Sequence, residues 1–450
     1  MRLTLSLLFA LLALAVPTVA AAANEPDTFR TGFYDGAFLT PHRDAWLTRA
    51  ADAQSDVVRV CGNWSAVAPS RPASPSNPAD PAYRWAPVDA AVRSAVGRGL
   101  DVLLCFTGAP RWAEGPSRPR RGVASGSWRP DAGSFGAFAQ AVATRYSGSY
   151  SGLPRVSAFQ PWNEPNLPRY LAPQYVDGEP ASPAIYRDLV NAFTTGIKSV
   201  QPDALVAIGN TAPFGDPPGE GSGRMQPLTF VEELLKARTW FDVLATHPYA
   251  IRGPNVPARN IGDISVANIQ DLVDVLRAAE RRGVTPGARK RVWVTEFSYD
   301  SSPPDPEGVP AATHARWTAE AMYVAWRQGV DTFVWYQVGD DEPRPSYAAT
   351  YQSGMFLASG EPKLSETAFA FPLVADRAPR GRADIWTRSP ADGTLVVRTR
   401  AKGGAWRTVA RLPARRHQLV TFRVKASMWT DVRASVAGQR SLTVKVRTVW

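Results

Sequence analysis

Cysteine is almost absent from this chain of 450 residues, which holds two, Cys61 and Cys105. That scarcity excludes a small disulfide-stapled scaffold, and two thiols cannot by themselves make a structural zinc site. Both lie in apolar strand-like runs, VVRVCGNW and DVLLCF. They read as buried free thiols, with a bond between neighbouring strands as the alternative in an oxidising compartment. No apolar run after the amino-terminal stretch is long enough to cross a bilayer. No Gly-rich dinucleotide or phosphate fingerprint follows the first strand-like run, which argues against an open nucleotide-binding sheet. No nucleic-acid recognition motif accompanies the positive charge, so nucleic acid is not an expected partner.

Negative charge is scarce in one place only. Residues 371–450 carry 17 of the 51 Lys+Arg and 4 of the 40 Asp+Glu, a net charge of +13, while the rest of the chain is near neutral. Two such different surfaces suggest two domains. A basic segment of this kind can attract an anionic glycan or cell surface. Arginine also outnumbers lysine along the whole chain, so solvated charge without a partner is the competing reading. The amino terminus, MRLTLSLLFALLALAVPTVAAAANEP, has the form of a secretory signal: Arg2, an apolar stretch, then small residues near Ala20 to Ala23. Residues 1–23 are therefore expected to be removed on export, giving a secreted or extracellular protein. An uncleaved membrane anchor is the alternative.

What remains is ordinary for a globular protein with a core, at 44% apolar and 20% charged residues. Eight short apolar runs are expected as strands: TGFYDGAFL, DVVRVCGNW, DVLLCFTG, VSAFQPW, ALVAIGN, FDVLATHPYA, VWVTEFS and TFVWYQV. Between most of them lie stretches with apolar residues at three-to-four spacing, such as PAIYRDLVNAFTTGIKSV and HARWTAEAMYVAWRQG. Strand–helix repetition implies parallel strands joined by helical crossovers. Eight such units point to an α/β fold of the (β/α)8 TIM-barrel type over residues 24–370. Long Pro-, Gly- and Arg-rich loops follow the third and fifth strands, and a Pro-rich loop over residues 300–310 follows the seventh. In such a barrel these loops stand on the face where sites are built. From residue 371 the pattern turns to short alternating strands split by turn residues, expected as a small basic β-sandwich over 371–450.

The chemistry concentrates at the strand ends. The run FQPWNEPN stops at Asn163 and Glu164, with Pro165 behind them. Proline donates no backbone N–H and biases its predecessor toward extended backbone, so Glu164 is expected at a strand end outside regular structure. A second carboxylate, Glu296, ends the seventh run in the same way. Two carboxylates facing one another across a barrel mouth form the arrangement for glycosidic cleavage, one protonated as acid and one ionised. Arg59 sits inside the apolar strand VVRVC, where an unpaired guanidinium is costly, so it needs a carboxylate and Glu296 is the expected one. His247, Tyr249 and Trp335 stand at other strand ends, and Trp335 offers an indole face on which a sugar could stack. Trp112, Trp128, Trp64, Phe106 and Asn210 are weaker subsite candidates, each equally readable as core.

These residues resemble the clan A glycoside hydrolases, most nearly the family 39 type. The resemblance covers about residues 30–370. It rests on Arg59, APRWA (109–113), WNEPN (162–166), THPYA (246–250), TEFSY (295–299) and FVWYQV (333–338). It implies Glu164 as acid/base, Asn163 on the sugar 2-hydroxyl and Glu296 as nucleophile. Arg59, Tyr249 and His247 would support Glu296, and Trp335 would floor the innermost sugar site. It further implies a retaining double displacement on a poly- or oligosaccharide, with no metal or organic cofactor. The long loops match no single activity, so sugar, linkage and exo or endo action stay open. The alternatives are a non-catalytic carbohydrate-binding barrel and a structural surface protein that uses the barrel as scaffold.

Overall fold

The computed structural model describes residues 25–217, 223–343 and 345–450; the expected signal segment 1–23 lies outside them. Eight parallel strands close into a barrel: β1 Arg30–Tyr34, β2 Val57–Asn63, β3 Asp101–Thr107, β4 Ala158–Pro161, β5 Leu205–Thr211, β6 Val243–Thr246, β7 Arg291–Val294 and β8 Val330–Tyr336. Each strand pairs with its sequence neighbours, and β8 closes on β1 with Phe33 opposite Trp335. All eight expected strands are present. Among the described residues no helix is long and apolar enough to cross a membrane.

The strands have two faces of different composition, because successive side chains point to opposite sides. One set fills the barrel interior as a small apolar cluster of Val57, Leu103, Ala207, Val243, Trp293 and Val334. The other set belongs to the large core between barrel and helices, which includes Val58, Val60, Leu104, Phe159, Phe333 and Trp335. Helices Ala86–Val96, Ala132–Arg145, Ser182–Val200, Ile269–Arg281 and Ala311–Arg327 turn their apolar stripes onto that core. Asp131 caps the second of these by accepting from the Ser134 N–H at 2.7 Å. Cys61 and Cys105 are register partners on β2 and β3 and are joined as a disulfide. The expectation of free thiols is thus corrected: adjacent parallel strands bring the two sulfurs together on the same face.

Residues beyond the barrel form two antiparallel sheets, one of strands 373–378, 382–388 and 419–425, the other built on 407–414, 393–400 and 431–436. Val444–Lys445 pairs with strand 431–436, and Arg447 bridges Asp376 of the first sheet. The first sheet is buried on both faces. Ala383 and Ile385 point to a second hydrophobic cluster shared with the other sheet. The intervening Trp386 packs edge-on against Phe29 with ring centroids 5.5 Å apart, and Arg388 reaches the Asp56 carboxylate and the Gln54 carbonyl of the barrel. The strict alternation in ADIWTR is what lets one strand serve both contacts.

Candidate active site

The interior-facing positions of β2, β4 and the β7 end converge on the mouth. Arg59 is fully buried. Its guanidinium donates to Glu296 Oε2 at 2.9 Å, to Asn163 Oδ1 at 2.7 Å and to Gln160 Oε1 at 2.6 Å. It also lies over the Tyr34 ring, 4.6 Å from the centroid. Three acceptors and an aromatic face therefore compensate a charge that would be expensive alone. Gln160 passes the arrangement on, donating to Thr295 Oγ1 at 3.2 Å just before Glu296. Tyr249 donates its hydroxyl to the other oxygen of Glu296 at 2.8 Å. Both oxygens of Glu296 are thus bonded from behind.

Glu164 has a different setting. It is approached by His247 Nδ1 at 3.0 Å, and the imidazole is farther from Glu296, at 3.9 Å. His247 therefore attends Glu164 rather than the nucleophile candidate. Burial raises the Glu164 pKa from 4.5 to about 7, only partly offset by the charges of Arg59 and Arg169. Burial lowers the His247 pKa to about 3, with Glu296 pulling it up and Arg59 pushing it down, so the ring is neutral near pH 7. Its Nε2 is buried without a partner. A bare acceptor there costs less than a stranded N–H, so Nδ1 carries the proton and donates to Glu164 Oε1.

The backbone at Glu164 differs from expectation. Pro165 predicts an extended residue before it, yet Glu164 has φ 39° and Trp162 φ 68°. The Glu164 N–H donates to the Asn210 carbonyl, and the Glu164 carbonyl accepts from Leu167 N–H at 3.0 Å, so a turn overrides the local bias. Asn210, also at φ 37°, donates to the Trp162 carbonyl at 2.9 Å and accepts from Tyr186 at 3.2 Å. Three left-handed non-glycine residues in one place mark backbone held by its surroundings. Asn210 thus shapes the loop from behind, fully buried, rather than facing a ligand.

Other candidates fall on either side of the wall. Arg59 fixes the oxygen end of the Asn163 amide, leaving its NH2 to donate. Trp335 is fully buried, its indole N–H donating to the Ser353 carbonyl and its ring against Phe297 and His314. It cannot floor a sugar site, because position 335 points outward to the helices while 334 and 336 point inward. Trp64 and Phe106 are likewise buried against Phe138. Trp112 and Trp128 are both half-buried in the loop after β3, donating to the carbonyls of Ala68 and Pro116. That loop is organised by Glu114, which binds Arg111, Arg118 and the N–H groups of Gly126 and Trp128. Residues missed from sequence are Gln160, Tyr34 and Tyr336; Tyr34 and Tyr336 pack with ring centroids 5.3 Å apart. Gln160 carries the same signal as Arg59, a polar group in an apolar strand.

Glu164, His247 and Glu296 each offer one ligand atom within 4.8 Å of the others, the one such group found among the described residues. A cation there would face the Arg59 guanidinium and compete for Glu296 oxygens already bonded to Arg59 and Tyr249. The donor set fits a proton-transfer pair better than a metal centre.

No protein-family model and no curated relative matches the chain. Solved structures do. A family 39 glycoside hydrolase from the gut symbiont Bacteroides cellulosilyticus WH2 superposes with TM-score 0.56 at 15% identity, over 91% of this chain and 81% of that one. A family 39 β-xylosidase from Caulobacter crescentus gives TM-score 0.53 at 16% identity, over 91% and 99%. A family 30 endoxylanase from Clostridium papyrosolvens C71 gives 0.50 at 11%, over 90% and 95%. The structural neighbours are clan A glycoside hydrolases, and the likeness establishes a shared fold.

Proposed function

We propose that the protein is a retaining glycoside hydrolase acting on a poly- or oligosaccharide, with Glu164 as acid/base and Glu296 as nucleophile. The observation that carries this is the asymmetry of the two carboxylates. An oxygen of each lies within 4.8 Å of the other. That proximity fits the roughly 5 Å carboxyl separation of retaining enzymes better than the roughly 6.5–9.5 Å of inverting ones. Glu164 is raised by burial to about 7 and keeps a proton to give, whereas Glu296 is bonded by a guanidinium and a phenol. A buried carboxyl that keeps its proton suits the acid, and a carboxylate held from behind by two donors suits the nucleophile.

The steps follow from these contacts. His247 N–H bonded to Oε1 leaves the acidic proton of Glu164 on Oε2. Glu296 attacks the anomeric carbon while Oε2 protonates the leaving oxygen. Glu164, now ionised, takes a proton from the water that hydrolyses the glycosyl–Glu296 ester. The Asn163 NH2 is available to a hydroxyl beside the anomeric carbon. The glycoside hydrolase neighbours support a carbohydrate substrate. The same reading includes export directed by residues 1–23, for which a Cys61–Cys105 bond is chemically suited.

The test is reducing-sugar release from plant, bacterial and acidic polysaccharides and aryl glycosides, with Glu164→Gln and Glu296→Gln alongside. Release that disappears in Glu296→Gln is expected. Release unchanged in both variants would remove the proposal.

A further inference from the structure

The second C-terminal sheet has an outer face that folding alone does not explain. Leu395, Val397, Val432, Ala434 and Val436 point inward to the sandwich core. The alternate positions therefore point away from it and from the barrel. They include Arg398 and Arg400 on one strand and Arg433 on the next, with Arg398 and Arg433 directly opposite in register. Ser435, two residues on, pairs with Arg440. Like charges directly opposite on a strand pair are destabilising, and a merely solvated face avoids them. Among the described residues, no carboxylate lies within ion-pair distance of Arg398, Arg433 or Arg440. The nearby Asp431 is engaged by Arg400 and Lys445, each at 2.8 Å. Slight burial, with the charges of Arg398, Arg440 and Arg400, holds the Arg433 guanidinium below its ordinary range.

A second observation gives the face a shape as well as a sign. Trp406, half-buried before strand 407–414, has the Arg433 guanidinium 4.0 Å and the Arg400 guanidinium 4.7 Å from its ring centroid. The indole holds both guanidiniums in place at the edge of the charge cluster. A polyuronate carries a carboxylate on each sugar, and guanidinium forks pair with carboxylates. We infer that this face binds a carboxylated polysaccharide, with Arg398, Arg433 and Arg440 as carboxylate contacts and Trp406 holding Arg433 in position. The site lies on the opposite side of the sandwich from the barrel, so it would hold polymer without touching the reacting groups.

Affinity electrophoresis of the full chain in gels containing polygalacturonate, dextran or duplex DNA at matched salt tests this. Wild type should be retarded by polygalacturonate and not by dextran. Arg398→Gln/Arg433→Gln and Trp406→Ala should each weaken retention about tenfold or more in protein that still melts cooperatively, the double variant with a melting temperature no lower than wild type. Arg382→Gln/Lys425→Gln, which removes equal charge from the first sheet, should leave it unaltered. No retardation of wild type at low salt would overturn the inference. So would equal weakening by the control pair, or DNA retention as strong as polygalacturonate with no effect of Trp406→Ala. None of these outcomes depends on hydrolysis, so the glycosidase proposal stands or falls separately.

Discussion

Replacing Glu164 by Gln separates its chemistry from its structural cost. Burial lifts its pKa from 4.5 to about 7. At about 1.4 kcal/mol per unit, the folded protein prefers the neutral carboxyl by about 3 kcal/mol. A raised folded pKa contributes stability below the unfolded value of 4.5 and loses it as pH rises through about 7. Glu164→Gln, permanently neutral and able to accept from His247, should therefore be more stable than wild type at pH 8 by up to about 3 kcal/mol. At pH 4 the two should match. Activity should move oppositely. Wild-type kcat/KM should fall above about pH 7 as the acid ionises. The variant should lose about 10²–10⁴-fold on poor leaving groups and far less on dinitrophenyl glycosides, which need no proton. Urea titrations at both pH values and pH–rate profiles on both substrates measure this. Equal losses on both leaving groups, or no stability gain at pH 8, would refute the assignment of Glu164 as a buried acid.

Further predictions concern the supporting residues. Arg59→Met leaves the Glu296 carboxylate without its buried partner and should cost about 3–5 kcal/mol in urea unfolding, with activity lost. Trp335→Ala should cost about 3–5 kcal/mol as a core cavity; a stable variant with a raised KM would restore the sugar-floor role that its burial denies. Arg388→Met should destabilise the junction of sheet and barrel by a similar amount, read as a lower urea midpoint, because Asp56 loses a buried counter-charge. Asp56 is held below its ordinary pKa, its hydrogen bond from His417 and the Arg388 charge outweighing burial. Its contribution is present above about pH 4 and should vanish as pH falls below that, seen as a melting temperature that drops in acid.

The barrel is legible in the sequence because strand and helix periods alternate eight times and no phosphate fingerprint competes. Glu164, Glu296 and Arg59 stand out because a charge in or at the end of an apolar strand needs a reason. Facing is harder to read. Trp335 and Tyr336 are adjacent aromatic residues at the end of one strand, and only the register with β1 decides which looks inward. A one-residue difference exchanges core for site, which is why the sequence hides Tyr34 and Tyr336 and offers Trp335 in their place. The turn at Glu164 is set by the Asn210 carbonyl, a contact across 46 residues of sequence that no local rule for proline contains. The resemblance makes His247 a supporter of Glu296, but the distances of 3.0 and 3.9 Å assign it to Glu164.

The pairing of acid and nucleophile is tested most directly by trapping. The full chain is incubated with activated 2-deoxy-2-fluoro glycosides of the sugars that the panel identifies, then digested and mapped by mass spectrometry. A single glycosyl adduct on the peptide holding Glu296, absent from Glu296→Gln, is the expected result. An adduct on another residue, or turnover of the same sugar with inverted anomeric configuration, would contradict the account.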